Sequence, residues 1–345
     1  MEIQDTLHAV ARLVTVTALA LLAAIPSAAQ NSSASAEPGK PVLRIVVDVP
    51  MPGPAVRFDY QSLDPVSGRL YIAHMNADQL VVFDTASRKV VSNLDGFARV
   101  HGVWAVPDLG RVYASVTGKH RVDAIDDKTL QVVSQIGPIF YPDGLAYAPG
   151  PKRVFVSDEH GKADAVIDAQ ANRLLTSIPL GGEAGNTVYD SGAKQILVVV
   201  HETGELVAID PDTLRIVGRY RLAGVTRPHG VLIDAAHRLG FVAGQGNHVV
   251  AIVDLRSMKV LVTYNVGANP DVLAFDAELG QLYVSAESGK VSVFRLRDRE
   301  LVPLGELSMP HAHTVAVDPK THLVYFPLEN VDGRPLLRIM EPTAP

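Results

Sequence analysis

The sequence predicts an all-β fold, a seven-bladed β-propeller with four strands per blade, and three observations predict it. One phrase recurs. In His229-Gly230-Val231-Leu232-Ile233-Asp234 a polar residue and a glycine open an apolar run that an Asp closes, and Arg238-Leu239-Gly240-Phe241-Val242-Ala243 supplies a second run. Its period is nearly constant: the aromatic of the second run, or its stand-in, is Tyr71, Tyr113, Phe155, Leu197, Phe241, Tyr283 and Tyr325, at spacings of 42, 42, 42, 44, 42 and 42. A fixed period near 40 residues with several short strands per unit marks a propeller blade. Finally, the two ends of the array are complementary. The seventh repeat stops after three strands, and an unassigned strand at residues 41–49 (PVLRIVVDV) precedes the first. Adding that strand to the last blade closes the ring, which removes two unpaired sheet edges.

At the N-terminus, residues 13–25 (LVTVTALALLAAI) form an uncharged apolar run after Arg12, followed by Pro26 and Ser27-Ala28-Ala29. A run of about 13 residues is short for a bilayer, and the small residues after it fit a signal peptide cleaved after Ala29. Residues 1–29 are therefore read as a signal peptide and residues 30–40 as a polar, disordered linker. A single propeller domain occupies 41–345. The expected location is periplasmic or secreted, with no membrane span after cleavage.

The repeats follow in order. The first runs through Phe58-Asp59-Tyr60, Arg69-Leu70-Tyr71-Ile72-Ala73, Leu80-Val81-Val82-Phe83-Asp84 and Lys89-Val90-Val91: an innermost strand A, then B, C and an outermost D. Later repeats start near residues 100, 141, 183, 226, 269 and 310. Asp64, Asp190, Asp234, Asp276 and Asp318 follow strand A, and Asp84, Asp126, Asp168, Asp210 and Asp254 follow strand C. A carboxylate accepts backbone hydrogen bonds in tight turns, so these recurrent Asp residues are read as turn chemistry and not as metal ligands. Trp104, the one tryptophan of the chain, is read as a core aromatic.

Composition excludes several classes. The 345 residues are 47% hydrophobic, carry a net charge of −6 and include no cysteine. The chain has ample apolar content for a core, no disulfide, no thiolate metal site and no cysteine nucleophile. No basic stripe appears, which disfavours nucleic acid. G-x-S-x-G, HExxH, P-loop and CxxC motifs are all missing. The glycine-rich Gly181-Gly182-Glu183-Ala184-Gly185 lacks the Lys-Ser/Thr of a phosphate cradle.

Leu282-Tyr283-Val284-Ser285 with Gly289-Lys290-Val291-Ser292-Val293, and Arg111-Val112-Tyr113-Ala114-Ser115 with Arg121-Val122-Asp123-Ala124-Ile125-Asp126, resemble the YVTN-type repeat. Residues 41–340 as a whole resemble the YncE-like, seven-bladed YVTN propellers exported by bacteria. The resemblance implies the fold and a binding or scaffolding role. Fold alone does not fix a reaction.

Rotational symmetry then gathers residues that are distant in sequence. The position 12 before each aromatic begins strand A beside the central channel: Asp59, His101, Asp143, Gly185, His229, Asp271 and His313. The position four after it ends strand B on the same face: Met75, Thr117, Glu159, His201, Gln245, Glu287 and Glu329. His201 would reach towards the gap left by Gly185. Taken singly, His101-Gly102, Asp143-Gly144 and His229-Gly230 read as turn dipeptides. As a set, six ionisable groups around one axis would be costly unless wet, ion-bound or ligand-bound. Imidazole with carboxylate suits a divalent transition metal, Zn, Mn, Fe or Cu. His101, His229 and His313 are the candidate metal ligands, and Glu159, His201, Glu287 and Glu329 are candidates for ligand binding. A polar plug filled by solvent alone is the other reading.

Two functions follow. The first is a non-catalytic exported propeller, monomeric, that binds a small polar ligand or a protein partner on its channel face. The second is a metal-dependent hydrolase of the lactonase or esterase type, with Asp59, Asp143 or Asp271 as base to a metal-bound water. Propeller lactonases make the second reasonable by analogy, although their metal sites favour Glu, Asn and Asp over His.

Overall fold

The computed structural model describes residues 41–343. The expected signal peptide and the expected linker, residues 1–40, lie outside the described residues, as do residues 344 and 345. The described residues form seven four-stranded antiparallel sheets, six of them ordered as the chain runs from the channel outwards and the seventh taking its outer strand from the start of the domain. Blade two shows the unit: Val100–Val106, Arg111–Val116, Arg121–Asp126 and Val132–Ile136 pair in succession. Strands B and C are packed on both faces by neighbouring blades, so they read as unbroken apolar runs. In Gln195–Val200 every residue after the first is buried. Outermost strands keep one face in water and alternate, as Arg215–Arg221 does from end to end. This is the two-sided versus one-sided distinction expected of buried and half-exposed strands.

The core is divided into slabs, each shared by adjacent blades. One joins blades six and seven through Tyr283, Val291, Val324 and Phe326. Another joins blades seven and one through Phe58, Leu70, Tyr325 and Ile339. The repeat aromatics and Leu197 all lie in such slabs with 0–1% of their surface exposed. The 42-residue period is therefore the period of the inter-blade contact.

Ring closure follows the expected route. Leu43–Pro50 pairs antiparallel with Arg334–Pro342, from Leu43 opposite Pro342 to Pro50 opposite Leu336. Arg338 grips Asp48 through two hydrogen bonds of 2.8 and 2.7 Å, and the Thr343 amide donates to the Val42 carbonyl. The last blade thus takes its outer strand from the start of the domain.

The turn aspartates do what their position suggests. Asp64 Oδ1 accepts from the Val66 amide at 2.8 Å, Asp210 Oδ1 from Asp212 and Thr213 at 2.9 and 2.8 Å, and Asp318 Oδ1 from Lys320 at 2.9 Å. Two expectations need correction. Trp104 is 38% exposed and is no core residue, because the innermost strand turns one of its faces to the bore. Strand A is short in blades one and seven, at Gln61–Leu63 and Ala316–Val317, so Asp59 and His313 stand just before it. Asp59 is still tied to strand B, since its amide donates to the Ala73 carbonyl at 2.8 Å.

Candidate functional site

In blades two to six the first turn of strand A is bulged. The pairing register slips between Val100 and Val103, Pro142 and Leu145, Ala184 and Thr187, Pro228 and Val231, and Pro270 and Leu273. Each slip spans the ring residue and its successor, and a bulge of this kind re-aims a side chain. The successor is often glycine because the blades nearly touch there. A Cβ on Gly102 would stand 2.0 Å from the Asp143 carbonyl oxygen, and one on Gly230 1.9 Å from that of Asp271. Gly185 follows the same logic one residue earlier, as its Cβ would meet the His229 carbonyl oxygen at 2.8 Å. It is a point of close approach as well as a gap in the ring.

Asp59, His101, Asp143, His229, Asp271 and His313 line one pocket of about 170 Å³, together with Glu159, His201, Gln245 and Glu287. Tyr60 forms its floor. Its hydroxyl crosses from blade one to blade four and donates to Asn186 Oδ1 at 2.7 Å. Below Tyr60 lies a second, more apolar chamber of about 130 Å³, lined by Val103, Trp104, Leu145 and Leu232 among others.

The polar groups of the mouth form a connected chain. His201 Nε2 lies 2.8 Å from His229 Nδ1, and His229 Nε2 lies 3.1 Å from Asp271 Oδ1. Asp271 Oδ2 is 3.3 Å from His313 Nε2, which is 3.0 Å from Asp59 Oδ1. The Arg57 guanidinium rests on this end, 2.9 Å from His313 Nε2 and 3.1 Å from Glu287 Oε1. His101 stands apart: its Nδ1–H donates to the Arg99 carbonyl at 2.7 Å, leaving Nε2 to accept from the Tyr141 hydroxyl at 3.2 Å.

Protonation follows from these contacts. Burial works against a charge on His229, but Asp271, Asp143 and Glu159 together outweigh it and lift its pKa to about 10. Burial likewise opposes a charge on His313, yet Asp271 and Asp59 raise it. His201 is driven the other way, to about 3, by burial and by the adjacent His229 charge. Burial also keeps His101 below the ordinary imidazole range against the pull of Asp59. Asp271 would be raised by burial, but the His229 and His313 charges hold it far below the usual carboxylate range. Asp143 goes well above that range, because it is buried beside Asp59 and Glu159, and its Oδ1 has no hydrogen-bond partner. With His229 protonated, its Nδ1–H donates to His201 Nε2, and its Nε2 lies 3.3 Å from the Tyr60 hydroxyl and 3.1 Å from Asp271 Oδ1.

Two groups of side chains in the described residues bring three potential metal-ligand atoms within 4.8 Å of one another: Asp271–Glu287–His313 and Glu159–Glu183–His201. The three histidines read from the sequence as metal ligands are distributed otherwise. His313 belongs to the first group, His229 bridges the two, and His101 belongs to neither. Glu329 lies off the pocket lining and pairs with His311 at 2.6 Å.

No protein-family model matches the chain. Over 218 residues it is 24% identical to a Salmonella typhimurium protein named only as uncharacterized protein YncE, an alignment that covers 58% of this chain and 61% of that protein's length. The fold is shared more widely. A chain of the Kuenenia stuttgartiensis hydrazine synthase superposes with a TM-score of 0.71 at 16% identity, covering 86% of this chain and 97% of that one. The WD40 repeats of RRP9 superpose with a TM-score of 0.73 at 9% identity, covering 87% and 100%. At such identities the two structures speak for the fold alone. Sequence and architecture agree on the fold: the chain is a seven-bladed β-propeller with sequence similarity to YncE.

In this ring the sequence reading missed several members of the site. Arg57, Tyr141 and Arg227 line the pocket, and Glu183 belongs to one of the metal-capable groups. All four stand two residues before a ring position, where an extended chain returns to the same side. That third ring, Arg57, Arg99, Tyr141, Glu183, Arg227, Asn269 and His311, is polar or aromatic throughout, and applying the period at one more offset would have found it. Tyr60 and Asn186 carry no such signal, because their contact spans the bore between blades one and four.

Proposed function

We propose that this propeller is an exported binding protein that takes a divalent transition-metal ion, and through it a small polar ligand, at the polar mouth of its channel. The observation that carries the reading is the pair of His/Asp/Glu groups whose ligand atoms converge within 4.8 Å at one end of the bore. Imidazole and carboxylate donors together suit Zn, Mn, Fe or Cu. A pocket of about 170 Å³ leaves room for water or a few ligand atoms beside an ion. Export is supported by the leader read at residues 1–29, and a closed ring works as a monomer. Elemental analysis of protein purified without chelator is the test. Close to one equivalent of a transition metal per chain is expected, and a metal-free protein that also fails to take up Zn2+ or Mn2+ on titration overturns the reading.

The hydrolase reading has narrower support. Asp271, pinned between two imidazolium groups, is a weak base. Asp59 is engaged by His313. Asp143, with raised proton affinity and an unpartnered oxygen, is the remaining candidate for proton transfer. Nothing in the pocket identifies a lactone or an ester as its substrate.

A further inference from the structure

We infer that the ion sits at Glu159–Glu183–His201, on the side of the mouth by blades three and four, and not at Asp271–Glu287–His313. The inference rests on the metal-binding reading above and says which of the two groups performs it.

At Asp271–Glu287–His313 a cation is already built in. The Arg57 guanidinium lies 3.1 Å from Glu287 Oε1 and 2.9 Å from His313 Nε2, where an ion would have to approach. The same nitrogen of His313 also faces Asp59 at 3.0 Å and Asp271 at 3.3 Å. Its donor atom is occupied, and a divalent ion there would meet a guanidinium within a few ångström, a repulsion that a low-dielectric mouth magnifies.

At Glu159–Glu183–His201 no guanidinium pairs with a ligand atom among the described contacts; the charge beside it is on His229, an imidazolium that can give up its proton where Arg57 cannot. His201 is 3% exposed, and its Nδ1 is buried without a hydrogen-bond partner. A buried imidazole nitrogen left unpaired is costly, and it calls for a partner. The nearest candidate, Glu183 Oε2, is 3.8 Å away. That is too long for a hydrogen bond. It is close to the separation of two ligands on one tetrahedral Zn2+, about 3.4 Å for bonds of about 2.0–2.1 Å. An ion on Nδ1 requires the proton between the two rings to sit on His201 Nε2 and point at His229 Nδ1, so binding releases one proton from the pair and turns the Nδ1 lone pair towards the carboxylates. Second partners of this kind orient metal-ligating histidines. Glu159 and Glu183 are only half-buried, which gives an ion and its remaining waters a way in.

The test uses the full chain after removal of metal by chelator. Zn2+ and, separately, Mn2+ are titrated against wild type, Glu159→Gln and Glu183→Gln, and thermal unfolding of each is followed with and without the ion. One site is expected in wild type, with affinity reduced at least tenfold in each variant. The melting temperature should rise with Zn2+ in wild type only, while the metal-free proteins melt alike. A wild type that binds one equivalent while both variants bind equally well overturns the assignment and leaves the metal-binding reading standing. A wild type that binds neither ion removes both.

Discussion

At the scale of single residues, the site places opposite charges where burial forces them to support one another. His229 keeps its proton in the fold up to about pH 10, against about 6.5 for a free imidazole. Its contribution to stability is therefore complete below about pH 6.5 and is lost as pH rises through about 10. Asp143 acts in the same direction, since a carboxyl whose folded pKa is raised favours the fold less as it is made to ionise. Asp271 acts in the opposite sense: its contribution is present above the ordinary aspartate range and is lost as pH falls through its depressed value. Denaturant unfolding between pH 6.5 and 10 should show stability falling in the wild type, with a shallower slope in His229→Gln. Glycine makes a second residue-scale prediction. A methyl at Gly230 would stand 1.9 Å from a backbone oxygen of the next blade, whereas one at Gly150 would meet nothing within 4 Å. Gly230→Ala should cost about 1–3 kcal/mol or more, as overpacking does, and Gly150→Ala should be close to neutral by the same measurement.

At the scale of elements, the strand that matters most is Leu43–Pro50, because it is supplied from the far end of the chain. Without it, Arg334–Pro342 would present an unpaired edge, and the slab that includes Val46, Val47 and Val49 would lose one wall. Removing residues 41–50 should abolish a single cooperative transition or give an aggregating product, since open edges recruit other strands. Unfolding followed together with size-exclusion chromatography checks this, and a monomeric, cooperatively folding product would contradict the closure argument. The ion pair of Asp48 with Arg338 on the same strand is partly exposed and is worth little by comparison. Pairing and apolar burial hold the ring shut.

At the scale of the whole molecule, the propeller converts sequence period into a shared axis. Seven equivalent positions, 42 or 44 residues apart, become neighbours around one bore, and six of them carry Asp or His. The Tyr60–Asn186 contact divides that bore into a charged mouth and an apolar chamber. Among the described residues no helix is long and apolar enough to cross a membrane. The two metal-capable groups share the mouth and are joined through His229. Occupation of one should therefore be felt at the other, and metal titrations are best read on the intact ring.

The seven blades, their four strands and the closing strand were legible in the sequence because they rest on periodicity, and the period sets which apolar faces meet. The ring of Asp59, His101, Asp143, His229, Asp271 and His313 was legible for the same reason: rotation about one axis makes equal offsets neighbours. What the period cannot carry is direction and distance across the bore. Only the tertiary structure put Arg57 on Glu287, turned His101 to Tyr141 and left His201 Nδ1 without a partner, because those contacts join blades at unequal steps around the ring. Trp104 makes the same point from the apolar side. Its place in strand A was readable, but whether that face meets a neighbouring blade or the open channel depends on the side chains of other blades.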